Sequence, residues 1–255
     1  MTAPLKVWFE ADGRLLRLSL NRPKANLIDA AMIEALDEAF AEHLSNRGIG
    51  AVLLAAEGPH FSFGASVEEH LPKQCAGMLR GIHKLVLHMV ESPVPILVAV
   101  HGQCLGGGLE VALAGHLLFV APNAALGQPE MKLGVMAPAA SCLLPELIGP
   151  QRAFDLLISG RSISGIQAAE IGIALQAAAD PARAALAYFD EHIRTKSTSS
   201  LRHAVQAARF DYAARVRSKI AAVERSYLEG LMNTHDAVEG LEAFIAKRPA
   251  QWMHC

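Results

Sequence analysis

Residues 102–115 read GQCLGGGLEVALAG and lie between two short apolar runs, ILVAV at 96–100 and LLFVA at 117–121. Continuous apolar runs of this length are typical of strands that are buried in a parallel sheet. The residues from Gly106 to Ala114 between them have the pattern of a helix with a glycine-rich start. The order strand, helix, strand predicts an α/β core in which crossover helices join parallel strands.

The N-terminal half continues this pattern. Apolar runs at 7–10 and 15–21, on either side of Asp12-Gly13, predict a β-hairpin. Asp29 is placed to cap a helix that ends near Leu44. The other predicted elements are a strand at 50–56, a helix at 67–90 with a break at Leu71-Pro72, and a short extended segment at 126–133.

From Ala139 onward helical periodicity dominates the sequence. The predicted helices cover 141–148, 152–158, 165–171, 181–196, 201–210, 215–231 and 236–247. We therefore expect an α/β core over residues 1–195 and a helical C-terminal region over residues 196–255.

The composition limits the class of protein. Of the 255 residues, 52% are hydrophobic and 19% are charged, with a net charge of −2, where about 25% charged residues is typical. These values exclude a disordered chain and argue against nucleic-acid binding, which favours a basic face. The sequence has no pattern of a secretion signal, a membrane span or a disulfide framework, so we expect a cytoplasmic protein. The apolar excess predicts that a partner subunit or a ligand covers part of the surface.

The three consecutive glycines at 106–108 expose backbone N–H groups at a helix start and allow a close approach to the main chain. A phosphate site is one interpretation, but the spacing matches neither the dinucleotide nor the P-loop pattern. The alternatives that stay open are an oxyanion hole, with one N–H from Gly107 and another from a second loop, and close packing of helix on strand.

Two acids lie in apolar surroundings, Glu110 in the first turn of the glycine-led helix and Glu130 at the end of a proline-containing loop. A carboxylate in such a place is costly unless it is paired or functional. Two carboxylates in one apolar site can act as acid and base or hold a water molecule between them. A helix cap or a surface ion pair is the alternative for either acid alone.

Other reactive side chains give weaker signals. No histidine has metal-ligand spacing, so no metal site is predicted. Cys104 and Cys142 show no neighbouring base and are expected to line the core or the pocket. The histidines that precede or enter the core are expected on the surface or on helix faces; they are His60, His70, His83, His88 and His101.

Several segments, in order along nearly the whole chain, resemble the crotonase (enoyl-CoA hydratase/isomerase) superfamily. They are RLLRLSLNRPKAN (14–26), FSFGAS (61–66), GQCLGGGLEVALAG (102–115), LGQPEMKLG (126–134), SGRSISGIQAAEIGIA (159–174) and HDAVEGLEAFIAKRPAQW (235–252). The resemblance implies a crotonase-like ββα superhelix core with a helical C-terminal trimerisation region. It also implies an acyl-CoA substrate and a homotrimer or a dimer of trimers.

By position, the resemblance assigns the oxyanion hole to the N–H groups of Ala65 and Gly107, which would bind the thioester oxygen as it becomes an enolate. Glu110 and Glu130 match the two glutamates of the hydratase branch, so addition of water, or its reversal, is the reaction implied. Glu110 would act mainly as the base and Glu130 would deliver the proton.

The same resemblance implies a set of residues around coenzyme A, which enters as part of the substrate, so no separate cofactor is expected. The set is Lys24, Ala25, Asn26, Phe63, Gly64, Ser66, Gly106, Phe244 and Lys247. Phe244 and Lys247 resemble family positions near the coenzyme A of a neighbouring subunit.

Where many relatives carry a glycine-rich segment after the acid loop, this chain has MAPAASC at 136–142, which we expect to shape the acyl pocket. The combination of segments resembles the branch that hydrates cyclohexa-1,5-diene-1-carbonyl-CoA in anaerobic benzoyl-CoA degradation. The alternatives are a hydratase or isomerase of linear enoyl-CoA in fatty acid β-oxidation, and an RNA-binding relative, against which the charge of −2 argues.

Overall fold

A computed structural model describes residues 3–255, which form two sheets and nine α-helices. The larger sheet has the strand order β1-β2-β3-β4-β6-β9, and the smaller has the order β5-β7-β8. The strands are β1 (Leu5–Glu10), β2 (Leu15–Leu20), β3 (Ala51–Ala56), β4 (Ile96–Val100), β5 (Gln103–Leu105), β6 (Leu117–Val120), β7 (Ala125–Gly127), β8 (Ser162–Ser164) and β9 (Gln176–Ala177).

Helices cover both faces of the larger sheet and make up most of the chain after residue 137. They are α1 (Ala30–His43), α2 (Cys75–Val90), α3 (Gly107–Ala114), α4 (Pro138–Ile148), α5 (Pro150–Ser159), α6 (Gly165–Glu170), α7 (Pro181–Tyr188), α8 (Thr198–Glu229) and α9 (His235–Ile245). Short 3-10 turns cover Glu68–His70, Pro129–Leu133 and Leu231–Asn233, and a π-helical segment covers Phe189–Ile193.

The predicted α/β core is confirmed. The hairpin forms with Leu5 opposite Leu20, and β2, β3, β4, β6 and β9 run parallel to one another. Asp29 caps α1 by accepting a hydrogen bond from the Met32 N–H, at 3.0 Å. The predicted helix break near Leu71 is confirmed, because a 3-10 turn ends there before α2 begins.

Alternate residues of the parallel strands face two apolar layers. Leu16 and Leu54 belong to the layer beneath α1, α2 and α3. Leu53 and Phe119 face the opposite layer, which α7 and Phe189 close. Both faces of these strands are therefore buried, which explains why their sequences are continuously apolar.

Two predictions of local structure are wrong, and three short strands were not predicted. The helices predicted at 201–210 and 215–231 are one continuous helix of 32 residues, α8. The segment 126–133 is extended only as far as Gly127 and then turns into the 3-10 turn. The strands β5, β8 and β9 have two or three residues each and leave no alternating pattern in the sequence.

The C-terminal helices pack on the core. Helix α8 lies against α2 and α4, and Arg209 on α8 donates hydrogen bonds to the carbonyl oxygens of Val90, Ala114 and Gly115. These carbonyls end α2 and α3, where a cation is favoured by the helix dipole. Helix α8 thus fixes the ends of the two helices that border the site. No helix among residues 3–255 is long and apolar enough to cross a bilayer.

Candidate active site

Two loops that follow the neighbouring parallel strands β3 and β4 run side by side. The Phe61 N–H donates to the His101 carbonyl at 2.9 Å, and the Ser62 N–H donates to Gln103 at 3.0 Å. The Leu105 N–H donates back to the Ser62 carbonyl at 3.0 Å. Because the loops are hydrogen-bonded in this register, the FSFGAS segment and the start of α3 are brought together.

Glycine is required where these loops meet. Gly106 has φ +50°, and a Cβ built on it would lie 2.6 Å from Oε1 of Glu130. A Cβ built on Gly107 would lie 3.2 Å from the Ala65 nitrogen and 3.1 Å from Cδ1 of Ile82. The absence of side chains here lets the Ala65 backbone and the Glu130 carboxyl approach the first turn of α3.

The N–H groups of Ala65 and Gly107 lie together and are available to a ligand. Neither donates a hydrogen bond to another group among residues 3–255. Gly107 is the first residue of α3, so the helix dipole adds to the positive field of its N–H. Two such donors can hold an oxygen atom that becomes negatively charged. The geometry favours the oxyanion-hole interpretation of the glycine segment over simple packing.

Glu110 is 4% exposed, and its Oε1 accepts a hydrogen bond from the Ala140 N–H at 2.9 Å. Ala140 lies in the first turn of α4, which has no side-chain cap of its own. The segment 136–142, which was expected to shape the acyl pocket, binds this carboxylate through its backbone. Burial raises the pKa of Glu110, although the N–H groups of Ala140 and Ala139 favour its charged form.

Glu130 lies in the 3-10 turn after β7 and faces Gly106. Gln128, which is 1% exposed, donates to both Glu130 oxygens at 3.1 and 3.2 Å when its amide nitrogen faces the carboxyl. Sequence reasoning missed Gln128, although it stands only two residues before the predicted acid.

The two carboxyl groups are electrostatically coupled. Burial, and then the negative charge of Glu110, raise the pKa of Glu130. The α4 N–H groups favour the ionised form of Glu110, so Glu130 is the partner that keeps the proton. Such a pair holds one proton at pH values where ordinary carboxyls are fully ionised. It can therefore supply a base and an acid at the same time.

A cavity of about 460 Å³ opens beside these groups. Phe63 and Phe244 line it and are 43% and 55% exposed. Its other lining residues include Gly64, Ala65, His70, Leu105, Gly106, Pro129, Glu130, Lys132 and Val135. Phe244 lines this cavity of its own chain, and its place near the coenzyme A of a neighbouring subunit stays a prediction. His70 and Lys132 were not predicted, and Lys132 adds an exposed cation at this cavity.

The predicted coenzyme A loop lies next to Phe63. The Phe63 N–H donates to the Ala25 carbonyl at 2.9 Å, and Lys24 is exposed with φ +94°. The side chain of Asn26 is not available to a ligand, because it is completely buried and its amide donates to the carbonyls of Glu57 and His60. Asn26 therefore joins two loops, which corrects its predicted role as a direct contact.

The remaining predicted contacts are dispersed. Ser66 donates its hydroxyl to Glu68 at 2.8 Å. Lys247 is exposed after the end of α9 and is not among the residues that line the cavity. Trp252 packs against Gly134 and Gly240, beside the turn that carries Glu130.

Cysteines and histidines do not form a second reactive centre in the described part of the chain. Cys104 and Cys142 are buried as predicted, and burial raises the pKa of both thiols, which keeps them neutral. No group of three or more His, Cys, Asp or Glu side chains in residues 3–255 is arranged for a metal ion. His83 is 3% exposed and lies on the buried face of α2, so of the two predicted places, the surface or a helix face, it takes the second.

Comparisons with known proteins agree with this geometry. The pattern of the enoyl-CoA hydratase/isomerase family matches residues 10–254. Cyclohexa-1,5-dienecarbonyl-CoA hydratase of Thauera aromatica is 62% identical over 98% of this chain and 97% of its own. A probable enoyl-CoA hydratase of Bacillus subtilis is 30% identical over 92% of this chain and 93% of its own.

A solved structure shows the same fold. The enoyl-CoA hydratase of Mycobacterium avium superposes with a TM-score of 0.87, covering 99% of this chain and 100% of that one, at 23% identity. The superposition supports the two-sheet core and the helical C-terminal region together. With the family pattern spanning residues 10–254, the chain belongs to the enoyl-CoA hydratase/isomerase family.

Proposed function

We propose that this protein is a hydratase that converts cyclohexa-1,5-diene-1-carbonyl-CoA into 6-hydroxycyclohex-1-ene-1-carbonyl-CoA in the degradation of aromatic compounds. The observation that carries the proposal is the pair of carboxyls formed by the buried Glu110 and the half-buried Glu130, beside the free N–H groups of Ala65 and Gly107. The 62% identical relative of Thauera aromatica, named for this reaction, supports the choice of acyl group.

The reaction is a 1,4-addition of water across the conjugated carbons C2, C1, C6 and C5 of the ring. Glu110 takes a proton from water, and the hydroxide oxygen bonds to C2, the β-carbon of the thioester. The electron pair of the C1=C2 bond moves to the thioester oxygen, which the Ala65 and Gly107 N–H groups stabilise. When the enolate collapses, the C1=C6 bond forms and C5 takes the proton that Glu130 carries. One water is consumed, and the pair of carboxyls regains its shared proton from Glu110.

Coenzyme A would bind at the mouth of the cavity, near Phe63, Phe244 and the exposed loop at Lys24 and Ala25. The thioester brings its own coenzyme, so the proposed reaction uses no resident cofactor or metal. We also propose that the protein is cytoplasmic and has no nucleic-acid partner. We divide the chain into an α/β core at residues 1–195 and a helical C-terminal region at residues 196–255.

We also propose that the chain assembles as a homotrimer or a dimer of trimers. Large apolar side chains on α5 and α6 support an assembly, because Phe154, Ile158 and Ile166 are 55%, 69% and 51% exposed. Apolar groups this exposed on neighbouring elements favour burial against another subunit. Light scattering of the purified protein gives the mass of the assembly, and a monomer would contradict the proposal.

The direct test is to incubate the purified protein with cyclohexa-1,5-diene-1-carbonyl-CoA and to measure the mass of the product. We expect a gain of one water and a faster turnover of the cyclic diene than of crotonyl-CoA under the same conditions. A faster turnover of crotonyl-CoA would reject the cyclic substrate in favour of a linear one. Loss of neither thioester over time would reject hydration altogether.

A further inference from the structure

Hydrogen bonds hold the loop that carries the Ala65 N–H on the side that precedes this residue. The Ile28 N–H donates to the Gly64 carbonyl at 2.9 Å, and the Gly64 N–H donates to Oγ of Ser62 at 3.0 Å. Gly64 has φ +105°, a conformation that favours glycine, so the chain turns sharply just before Ala65. The direction of the Ala65 N–H therefore also depends on how the chain is held after Ala65.

A side chain holds the loop after Ala65. Nδ1 of His70 donates to the Ser66 carbonyl at 2.8 Å. Within residues 3–255 no other group donates to this carbonyl. His70 ends the 3-10 turn at Glu68–His70, and its own N–H donates to the Val67 carbonyl at 3.1 Å. The imidazole thus ties the end of this turn back to the residue next to Ala65.

His70 is half-buried and lines the cavity, together with Ala65, Glu130 and Phe244. Burial lowers the pKa of its imidazole, so the ring is neutral near neutral pH. Because a carbonyl oxygen only accepts hydrogen bonds, the single proton of the neutral ring is on Nδ1. Nε2 makes no hydrogen bond within the described part of the chain. His70 therefore has two possible routes to the reaction, through Nδ1 and the loop or through Nε2 and the substrate.

The proposed reaction depends on two N–H groups that come from separate segments. Gly107 is the first residue of α3, whereas Ala65 lies in a loop. The two segments are close, since a Cβ built on Gly107 would lie 3.2 Å from the Ala65 nitrogen. A rotation of the Ala65 peptide would take one of the two donors away from the thioester oxygen, and a misplacement of about 1 Å can lower a rate about 100-fold.

We propose that His70 is a positioning residue, which sets the direction of the Ala65 N–H through its hydrogen bond to the Ser66 carbonyl. The two N–H groups of Ala65 and Gly107 then converge on one oxygen atom. The inference rests on the proposed function, because it takes the thioester oxygen as the atom on which negative charge develops. His70 transfers no proton in this role.

Three substitutions of His70 separate the roles of its two nitrogens. The amide of His70→Asn can donate from the place of Nδ1, the amide of His70→Gln reaches the place of Nε2, and His70→Phe keeps a ring without either nitrogen. We expect His70→Asn to keep kcat for the cyclic diene within about 3-fold of the wild type, and the other two variants to lose about 10- to 100-fold. KM should change less than kcat, because the donor pair binds the enolate more strongly than the neutral thioester.

Infrared difference spectroscopy of bound cyclohexanecarbonyl-CoA reports on the N–H pair directly, because this saturated thioester has no double bond to hydrate. The two donors should lower the stretching frequency of its carbonyl relative to the thioester in solution. His70→Phe and His70→Gln should lose about half of this shift, since one of the two donors is misplaced. His70→Asn should keep most of it. A merely structural role would lower the temperature of unfolding without moving this band.

His88→Phe is the matched control. His88 lies on α2, and its Nδ1 is 2.9 Å from a carboxylate oxygen of Asp37, so this variant also removes a hydrogen bond made by a histidine Nδ1. His88 is not among the residues that line the cavity. The control should keep the wild-type kcat and the wild-type carbonyl frequency. Thermal unfolding checks that every variant is folded.

The outcomes separate the inference from the proposed function. Retention of both kcat and the carbonyl shift in His70→Phe would overturn the inference. A wild-type result for His70→Gln together with losses in His70→Asn would assign the role to Nε2 and would also overturn it. Should His70→Phe not fold, the comparison of His70→Asn with His70→Gln decides. If the wild-type enzyme does not hydrate the cyclic diene, the proposed function fails, and the carbonyl band still shows whether His70 directs the Ala65 N–H.

Discussion

Helix α3 buries all eight of its residues, whereas α8 buries three of its 32. In α3 the proposed chemistry uses the backbone and one carboxylate, and the neighbours leave no space for larger groups at Gly106 and Gly107. In α8 a few inward side chains carry contacts that reach across the molecule, while the rest face solvent. We therefore expect substitutions on α3 to affect the reaction. Most substitutions on α8 should affect only the stability of the protein or have no effect.

The strongest test of this contrast is Glu110→Gln, which keeps the shape of the side chain and removes the proposed base. We expect kcat for hydration to fall about 10²- to 10⁴-fold, the range for loss of a general acid or base. Binding of the thioester should persist, because the N–H groups and the cavity are unchanged. Steady-state kinetics with the cyclic diene and calorimetric titration with its product measure the two effects.

Glu146→Gln is the matched control for that variant. Glu146 lies on α4 and pairs with Arg215 and Lys219 of α8, and these contacts hold its pKa at about 2. Its loss should leave kcat unchanged and lower only the stability. A comparable fall in kcat for both variants would show that α8 and α3 do not divide their roles as described.

The next largest effect is expected for Gly106→Ala. The positive φ of this residue costs a non-glycine side chain about 1–3 kcal/mol, and the new Cβ would displace Glu130, whose Oε1 is 2.6 Å away. A displacement of this size can lower the rate about 100-fold. The kinetics and the free energy of unfolding should therefore both decline.

Gly77→Ala should change the free energy of unfolding in the opposite direction. Gly77 is an exposed helical residue on α2, where an added Cβ meets nothing within 4 Å. Alanine is favoured over glycine in helices, so this variant should be more stable by about 0.5–1 kcal/mol, with unchanged activity. If both glycine variants behave alike, crowding at the start of α3 is not what fixes Glu130.

The smallest expected effect on the reaction, though a clear one on stability, belongs to Arg209→Ala on α8. Removing this guanidinium leaves the carbonyls that end α2 and α3 without their donor, at a cost of about 2–4 kcal/mol in the free energy of unfolding. Chemical denaturation measures the loss. The kinetics should change little, because Arg209 lies at the ends of these helices opposite to Gly107.

Arg217→Ala serves as its counterpart on the same helix. Arg217 pairs with Glu91, but its side chain is 60% exposed, and surface pairs contribute about 0–1 kcal/mol. Equal losses for the two arginines would contradict the importance of the buried contacts of α8.

The contrast also explains what the sequence could predict. The strands β2, β3, β4 and β6 are buried on both faces, so their apolar runs were visible, and the glycines of α3 pointed to a close approach of backbones. Helix α8 was divided in two because Asp211 and its neighbours interrupt the apolar pattern. Asp211 is exposed and pairs with Arg215 four residues later on the same continuous helix.

Contacts between distant segments were not predictable in the same way. The strand β8 pairs with β7 beside it. A strand of two or three residues is too short to show an alternating hydrophobic pattern in the sequence. The burial of His83 depends on Glu224, 141 residues away. The sequence pointed to the acid pair because both carboxyls stand in apolar segments. The group that binds Glu110 is the backbone N–H of Ala140, and every residue except proline has such a group, so the sequence cannot single it out.

That last contact makes the amide of Ala140 a built-in reporter. Its hydrogen exchanges with solvent only when the bond to Glu110 opens, so its exchange rate should follow the charge on the proposed base. Protonation of Glu110, or its replacement by glutamine, weakens the acceptor and should free the first turn of α4 to exchange faster. The protonation state of the active site can thus be followed, without substrate, as the mobility of a helix that carries no catalytic side chain.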